Sequence, residues 1–450
     1  MKFSACLFGI VITVFCLPVV LSAQMQRSQR LGDIRADLGC SPAPCRLPNV
    51  RVTQGGKTTA TASNVAIHPS NPSQLILGVT DPSCSSWQAS YSSNDGGTTW
   101  TKTCFPFVGI IDEIVQSWIL YDSSGEVHAL LHSANLDCGE DQIFETHSSD
   151  NGLTWSALNR LLNVQFAVLD SEAIDNNAGS PFAGNIYGSS TEFLGPTKTQ
   201  IEVFRSSDGG TTWTSTVAAT LPNTFGFDSE GFSSLQVGKD GTVYMAYMAS
   251  PNGSSSPNEM MFVKSADGGQ TWSSPVQIYT ATAVADIPNT TISVADAPVL
   301  AVDNSAAGKS RLYVTFYNWT GSFMQVLLTH SGNGGNSWST PVPVAPANAT
   351  NDQFKPYVSV SSTGAVGVTW LDRRDDPSNV NYRTYGAFSR NGIFSRNIAL
   401  ATASSAPTGG LFLSDSPAAN AWTGSTLYVV WPDTRTNGVL QQFIGGDKQQ

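Results

Sequence analysis

"SSNDGGTTW", Ser92–Trp100, is a polar, glycine-rich string ending in tryptophan, and the chain writes it again and again. The template S-x-D-x-G-x-x-W returns as "SSDNGLTW" (Ser148–Trp155), "SSDGGTTW" (Ser206–Trp213) and "SADGGQTW" (Ser265–Trp272). A fifth copy, "SGNGGNSW" (Ser331–Trp338), carries Asn333 in place of aspartate, and a shortened sixth, "SRNGIF" (Ser389–Phe394), keeps Ser389, Asn391, Gly392 and an aromatic. From Asp95 to Asp150, Asp208, Asp267, Asn333 and Asn391 the steps are 55, 58, 59, 66 and 58 residues. Self-similarity at a near-fixed period of this size means a repeat architecture.

Each copy lies between two short runs with strand character, such as "TQIEVF" before the third and "TTWTSTV" across its end. Asn/Asp-Gly at the centre supplies the positive φ of a tight hairpin, and the aspartate and serine accept or donate hydrogen bonds within the turn. The tryptophan anchors the turn to the sheet. The box residues Asp95, Trp100, Asp150, Trp155, Asp208, Trp213, Asp267, Trp272, Asn333 and Trp338 are therefore read as structural. Two more strands precede each box, most clearly in "GFSSLQVGKDG–TVYMAYMAS–EMMFVKSADGG–TWSSPVQIY" (Gly231–Tyr279). Four antiparallel strands, A to D, per repeat and no helical periodicity between them predict an all-β propeller.

Six boxes mark six blades. A seventh unit, "LFLSDSPAANAW–STLYVVWPDTR–GVLQQFIGG", has room for three strands only, and "NVRVTQ" (Asn49–Gln54) is placed to add the fourth. Seven blades are expected, with six as the alternative, because closure removes exposed sheet edges. Residues 49–450 form this single domain, 24–48 an N-terminal segment that is partly disordered, and 1–23 a signal peptide: Met1-Lys2, an apolar run to Val20, then Leu21-Ser22-Ala23.

An export signal agrees with the composition. Charged residues are 13% of the chain, against about 25% in ordinary globular proteins. The net charge of −11 shows no basic stripe, which argues against nucleic acid and anionic membrane surfaces. No later stretch is long and apolar enough for insertion into a membrane. Cleavage would leave Cys40, Cys45, Cys84, Cys104 and Cys138. Cys84 and Cys104 lie ten residues either side of Asn94, the middle of the first hairpin, and are expected to form a disulfide. Cys40 and Cys45 could close a small loop, leaving Cys138 free. The sequons at Asn252, Asn289, Asn318 and Asn348 matter only in a glycosylating host.

The boxes resemble the Asp-box (bacterial neuraminidase, or BNR) repeats of the sialidase-like propeller superfamily, over nearly the whole chain from about Ser63. "WLDRRDDPSNVNYRTYGAFS" (Trp370–Ser389) resembles a stretch found in secreted relatives. The resemblance implies the propeller fold and leaves function open, since such propellers include sialidases, other glycosidases and binding proteins. A sialidase clamps the substrate carboxylate with three arginines and uses a Tyr–Glu nucleophile and an aspartate. Arg46-Leu47-Pro48 is similar to the first-arginine motif, but "LGVTDPSCS" offers Asp81 and no arginine. Glu172 and Glu230 are followed only by Arg205, beside a box, and by Arg311. The clamp is incomplete, so sialidase activity is not expected.

His128 and His132 stand four apart but on a strand and without further ligands, so no metal or cofactor is assigned there. In a propeller the box turns face one end and the D–A and B–C connections the other, where ligands meet the pore. Aspartates precede the inner strands at Asp112, Asp170, Asp228, Asp296 and Asp415, and "WLDRRDD" and "WPDTR" follow two second strands. The candidate ligand-binding residues on this rim are Asp170, Glu172, Asp228, Glu230, Asp372, Arg373, Arg374, Asp433 and Arg435. Each aspartate could also simply cap its own loop. The reading that results is a secreted, monomeric binding or scaffold module. Its ligand at the rim is a carbohydrate, a protein or peptide, or a cation such as Ca²⁺; a glycoside hydrolase is the alternative.

Overall fold

Alternating small, β-branched and aromatic residues between Asx-Gly turns give 30 short strands and no helix among the described residues. The computed structural model describes residues 45–449 apart from 56–59, 62–63, 107–112, 135–140, 165–166, 195–197, 223–231, 250–257, 293, 295, 307–309, 347, 391–392, 395–396 and 409–416. The expected signal peptide, Cys40, Cys138, Asp112, Asp228, Glu230, Asn252, Asn391 and Asp415 lie outside those residues.

The strands form seven antiparallel sheets, each with a four-strand path, and so a seven-bladed propeller. Blades one to six run through residues 60–104, 113–164, 167–222, 233–281, 299–343 and 353–399 in chain order. Blade seven takes Asn420–Thr423, Thr426–Asp433 and Gln441–Lys448 from the C-terminus, and Cys45–Arg51 from the N-terminus as its outer strand. The pairings Val50↔Ile444 and Arg51↔Phe443 close the ring as expected, and the strand begins at Cys45 rather than Asn49.

In blade four, Asp267 Oδ1 accepts from Ser265 Oγ at 2.7 Å and Thr271 N at 2.9 Å, while Gly269 N donates to Ser265 Oγ at 2.8 Å. Gly268 and Gly269 sit at φ 71° and 84°, conformations that L side chains avoid. Asn333 does the same with its amide, accepting from Ser337 N and donating to Ser337 Oγ.

The box also has a second task that lies beyond its own hairpin. A donor from the preceding blade latches a box glycine carbonyl: Ser90 to Gly152, Asn159 to Gly210, Thr216 to Gly269 and Lys264 to Gly334, at 2.8–3.2 Å. The indoles of Trp155 and Trp272 return a bond to Ser90 and Thr216. Thr216→Val keeps shape and removes both bonds, so it is expected to cost about 1–2 kcal/mol in a denaturant titration. Thr214→Val, at an exposed site on the same strand, should change little.

Hydrophobic clusters fill the gaps between blades. The gap between blades two and three is the poorest among the described residues, with only Leu130, Ile143, Leu169 and Phe204 buried together.

The expected Cys84–Cys104 disulfide is present, with Cα atoms 5.6 Å apart. Its geometry differs from a cross-strand bridge. The strand partner of Cys104 is Ala89, whereas Cys84 lies in the B–C connection, which curls back through Cys84 N to Asp81 O and Trp87 N to Cys84 O. Cys45 is disulfide-bonded as well.

Candidate ligand-binding rim

"WLDRR" and "WPDTR" each end a B strand, Val366–Asp372 and Thr426–Asp433, and fold the same way. Residues two apart on a strand share a face. Trp370 Nε1 therefore reaches Asp372 Oδ2 at 2.6 Å, and Trp431 Nε1 reaches Asp433 Oδ2 at 2.9 Å. The turn then brings back an arginine. Arg374 grips Asp372 through Nε at 2.9 Å and Nη2 at 2.5 Å; Arg435 grips Asp433 at 2.9 and 2.6 Å. The guanidinium groups lie 4.3 Å from the Tyr385 ring centre and 4.6 Å from that of Phe443. Both aspartates are fully buried. Arg374 and Arg435 are thus spent on their own loops.

Arg373 was expected on the surface of the rim and is instead wholly buried. Its Nη1 donates to Pro288 O at 2.6 Å and to Asp352 Oδ2 at 3.1 Å, and its guanidinium lies over Phe354. Asp352 also accepts from Asn379 Nδ2 at 2.7 Å, and Asn289 Nδ2 donates to Asn379 O at 3.2 Å. Arg373 therefore ties the connection between blades four and five to the B–C connection of blade six. Between those connections and the one from blade six to blade seven lies a shallow, wide-open cavity of about 640 Å³ lined by Asn289, Thr290, Thr291, Ile292, Val380 and Pro407. No titratable side chain is among these. The sequence reading did not find this cavity, because its walls come from segments some 90 and 115 residues apart.

Asp170 and Glu172 part company. The strand Ala167–Ile174 has a bulge between Leu169 and Ser171. Asp170 consequently turns toward blade four, whose Ser233 Oγ donates to its Oδ2 at 2.7 Å, while Thr191 Oγ1 of its own blade donates at 2.8 Å. Glu172 turns toward blade two and does not reach the rim. Neither of its buried carboxyl oxygens has a hydrogen-bond partner. Burial, with Glu145 nearby, raises its pKa well above the ordinary value. Glu145 lies 3.4 Å from His128 Nδ1 and 3.2 Å from His147 Nδ1.

The arginines of the sialidase pattern do not gather. Arg46 is on the outer strand of blade seven opposite Asp447, Arg205 donates to the box carbonyl of Gly268, and Arg311 opens a B strand. All three lie toward the box end. One group of metal-capable side chains occurs among the described residues, Asp122, Glu126 and His128, with ligand atoms within 4.8 Å of one another. It too is at the box end, where Asp122 already caps its turn through Ser124 N and Glu126 N.

No family model matches the chain, and no curated protein matches it. Among solved structures, a protein of unknown function from Dyadobacter fermentans DSM 18053 is similar at 12% identity and TM-score 0.50, covering 91% of this chain and 100% of that one. A mutant NanB sialidase from Streptococcus pneumoniae is similar at 10% identity and TM-score 0.45, covering 71% of this chain and 66% of that one. An α-L-arabinanase of Penicillium chrysogenum, complexed with arabinobiose, is similar at 14% identity and TM-score 0.44, covering 75% and 93%. At these identities the likeness is one of fold.

Proposed function

We propose that this chain is an exported propeller acting as a binding or scaffold module, and that the cavity over blades five and six takes an uncharged stretch of carbohydrate. The observation that carries this reading is the cavity lining. Amide and hydroxyl groups of Asn289, Thr290 and Thr291 stand beside apolar Ile292, Val380 and Pro407. That mixture suits a sugar, whose ring has both hydroxyl edges and apolar faces. Glycoside hydrolysis would need two carboxyl groups about 5–10 Å apart across the bond, and the described lining supplies neither. A sialoside would need cationic partners, and the arginines of this rim are occupied by Asp372, Asp433 and Asp352. The disulfide supports an oxidising compartment.

Thr291 is exposed, so Thr291→Arg should fill the cavity mouth without unfolding the protein. Neutral oligosaccharides captured on a glycan array should bind the wild type and lose at least about tenfold in affinity with Thr291→Arg, or about 1.4 kcal/mol. Release of sialic acid or arabinose from a glycoside by the purified protein would overturn the binding-module reading in favour of a hydrolase.

A further inference from the structure

In blade two the A strand Glu113–Tyr121 and the B strand Val127–Ala134 are joined at the box end by a turn that continues their pairing, since Asp122 N donates to Glu126 O at 2.9 Å. Residues two apart on a strand share a face, so Glu126 stands beside His128 and Asp122 stands opposite Glu126. One oxygen or nitrogen from each of Asp122, Glu126 and His128 lies within 4.8 Å of the others. Asp122 Oδ1 accepts from the turn amides of Ser124 and Glu126. The half-buried Glu126 carboxyl makes no hydrogen bond among the described residues.

A second observation, independent of the two acids, concerns the imidazole. His128 is 1% exposed, and its Nδ1 lies 3.4 Å from Glu145 Oε1. Glu145 is just as deeply buried, packed beneath Gly210 of the third box. A carboxylate only accepts, so this contact places the proton on Nδ1 and leaves a lone pair on Nε2. Nε2 has no hydrogen-bond partner among the described residues, which leaves it as the ligand atom. An imidazole held at one nitrogen by a buried carboxylate and bare at the other is the arrangement that orients a histidine toward a metal.

We propose that Asp122, Glu126 and His128 bind a divalent ion of the zinc class, with Glu145 as the positioning residue behind the imidazole. One imidazole nitrogen and two carboxylate oxygens are donors that zinc accepts, with water as the fourth ligand. Calcium would call for six to eight oxygens instead. Ligand atoms about 2.0–2.2 Å from a tetrahedral zinc ion stand about 3.3–3.6 Å from one another. The unbonded Glu126 side chain therefore needs to move by only about 1 Å to complete the site. His132, four residues on, stands about 13 Å further along the strand and takes no part.

The test uses the full-length protein, stripped with a chelator, and Zn²⁺ itself. Calorimetric titration is expected to show one ion bound with Kd of about 10 μM or tighter, and zinc at about 100 times Kd to raise Tm by about 2–5 °C. Ca²⁺ or Mg²⁺ at the same concentration should do neither. Glu126→Gln alters a carboxyl without a partner, so the zinc-free variant should keep its Tm while zinc affinity falls at least about tenfold. Asp122→Asn can still accept the turn amides, as Asn333 does in the fifth box, and should lose zinc alike. Glu145→Gln leaves all three ligands in place and should weaken binding about tenfold. His147, whose Nδ1 lies 3.2 Å from Glu145 Oε1 on the solvent side, is the control: His147→Gln should leave zinc affinity unchanged. No zinc binding by the wild type, undiminished affinity in Glu126→Gln and Asp122→Asn, or loss of binding in His147→Gln would overturn the proposal.

Discussion

Asp372→Ala is expected to lower the unfolding free energy by about 3–5 kcal/mol, the range for breaking a buried charge pair by removing one partner. Asp372 is fully buried and accepts four hydrogen bonds, from Trp370 Nε1 and from the backbone N, Nε and Nη2 of Arg374. Alanine leaves a buried indole N–H unpartnered and takes two charge-assisted bonds from the Arg374 guanidinium, which keeps Asn397 Oδ1 and the Tyr385 ring. Asp433→Ala, in the twin clamp of blade seven, should behave alike. The double variant Asp372→Ala/Arg374→Ala should lose less than the sum of the two single changes, because the uncompensated cation is gone. Guanidinium denaturation of the four proteins decides the matter; a loss below about 1 kcal/mol for Asp372→Ala would show that the clamp is not what holds this loop.

Glu172→Gln is expected to do the opposite and stabilise the protein, by an amount that depends on pH. The folded-state carboxyl is raised above its ordinary value of 4.5 because burial disfavours the charged form and Glu145 repels it. A raised group contributes its full stability below the unfolded pKa and loses it as pH rises toward the folded pKa. The wild type therefore weakens on this account by about 1.4 kcal/mol per pH unit above 4.5, until the buried carboxyl itself ionises. Glutamine has the same shape and no such loss. Near pH 4.5 the two proteins should be equally stable, and the lead of the variant should widen as pH rises from there toward 7. The groups facing Glu172 from blade two, Glu145 with His128 and His147, are present in both proteins. Equal stability at pH 7 would mean that Glu172 has found a partner the structure does not show.

Much of the architecture was legible because it is written in consecutive residues. Ser265, Asp267, Gly269 and Thr271 make their bonds within seven positions, so the turn, its repeat and the blade number follow from the string alone. The closing strand was legible too, since a seventh unit with three strands at one end and the strand-like Asn49–Gln54 at the other complete a blade and remove the edges. The pairing of Cys84 with Cys104 could be counted, although the curl that brings Cys84 back to the outer strand could not.

Tertiary structure decided the site. Asp170 and Glu172 share a face in any regular strand, yet one bulge sends the first to blade four and the second into the gap with blade two. Arg373 and Arg374 are neighbours in sequence, but one is buried against Pro288 O and Asp352 and the other closes on Asp372. Glu145, Glu192 and Glu202 sit at positions that alternation alone would leave in water, and neighbouring blades bury them wholly or in part. The cavity itself joins Asn289, Val380 and Pro407, which no local pattern connects. Short-range hydrogen bonding depends on spacing along the chain and can be read there. Where a side chain points depends on register and on which distant loop meets it, and that is settled only when the ring closes.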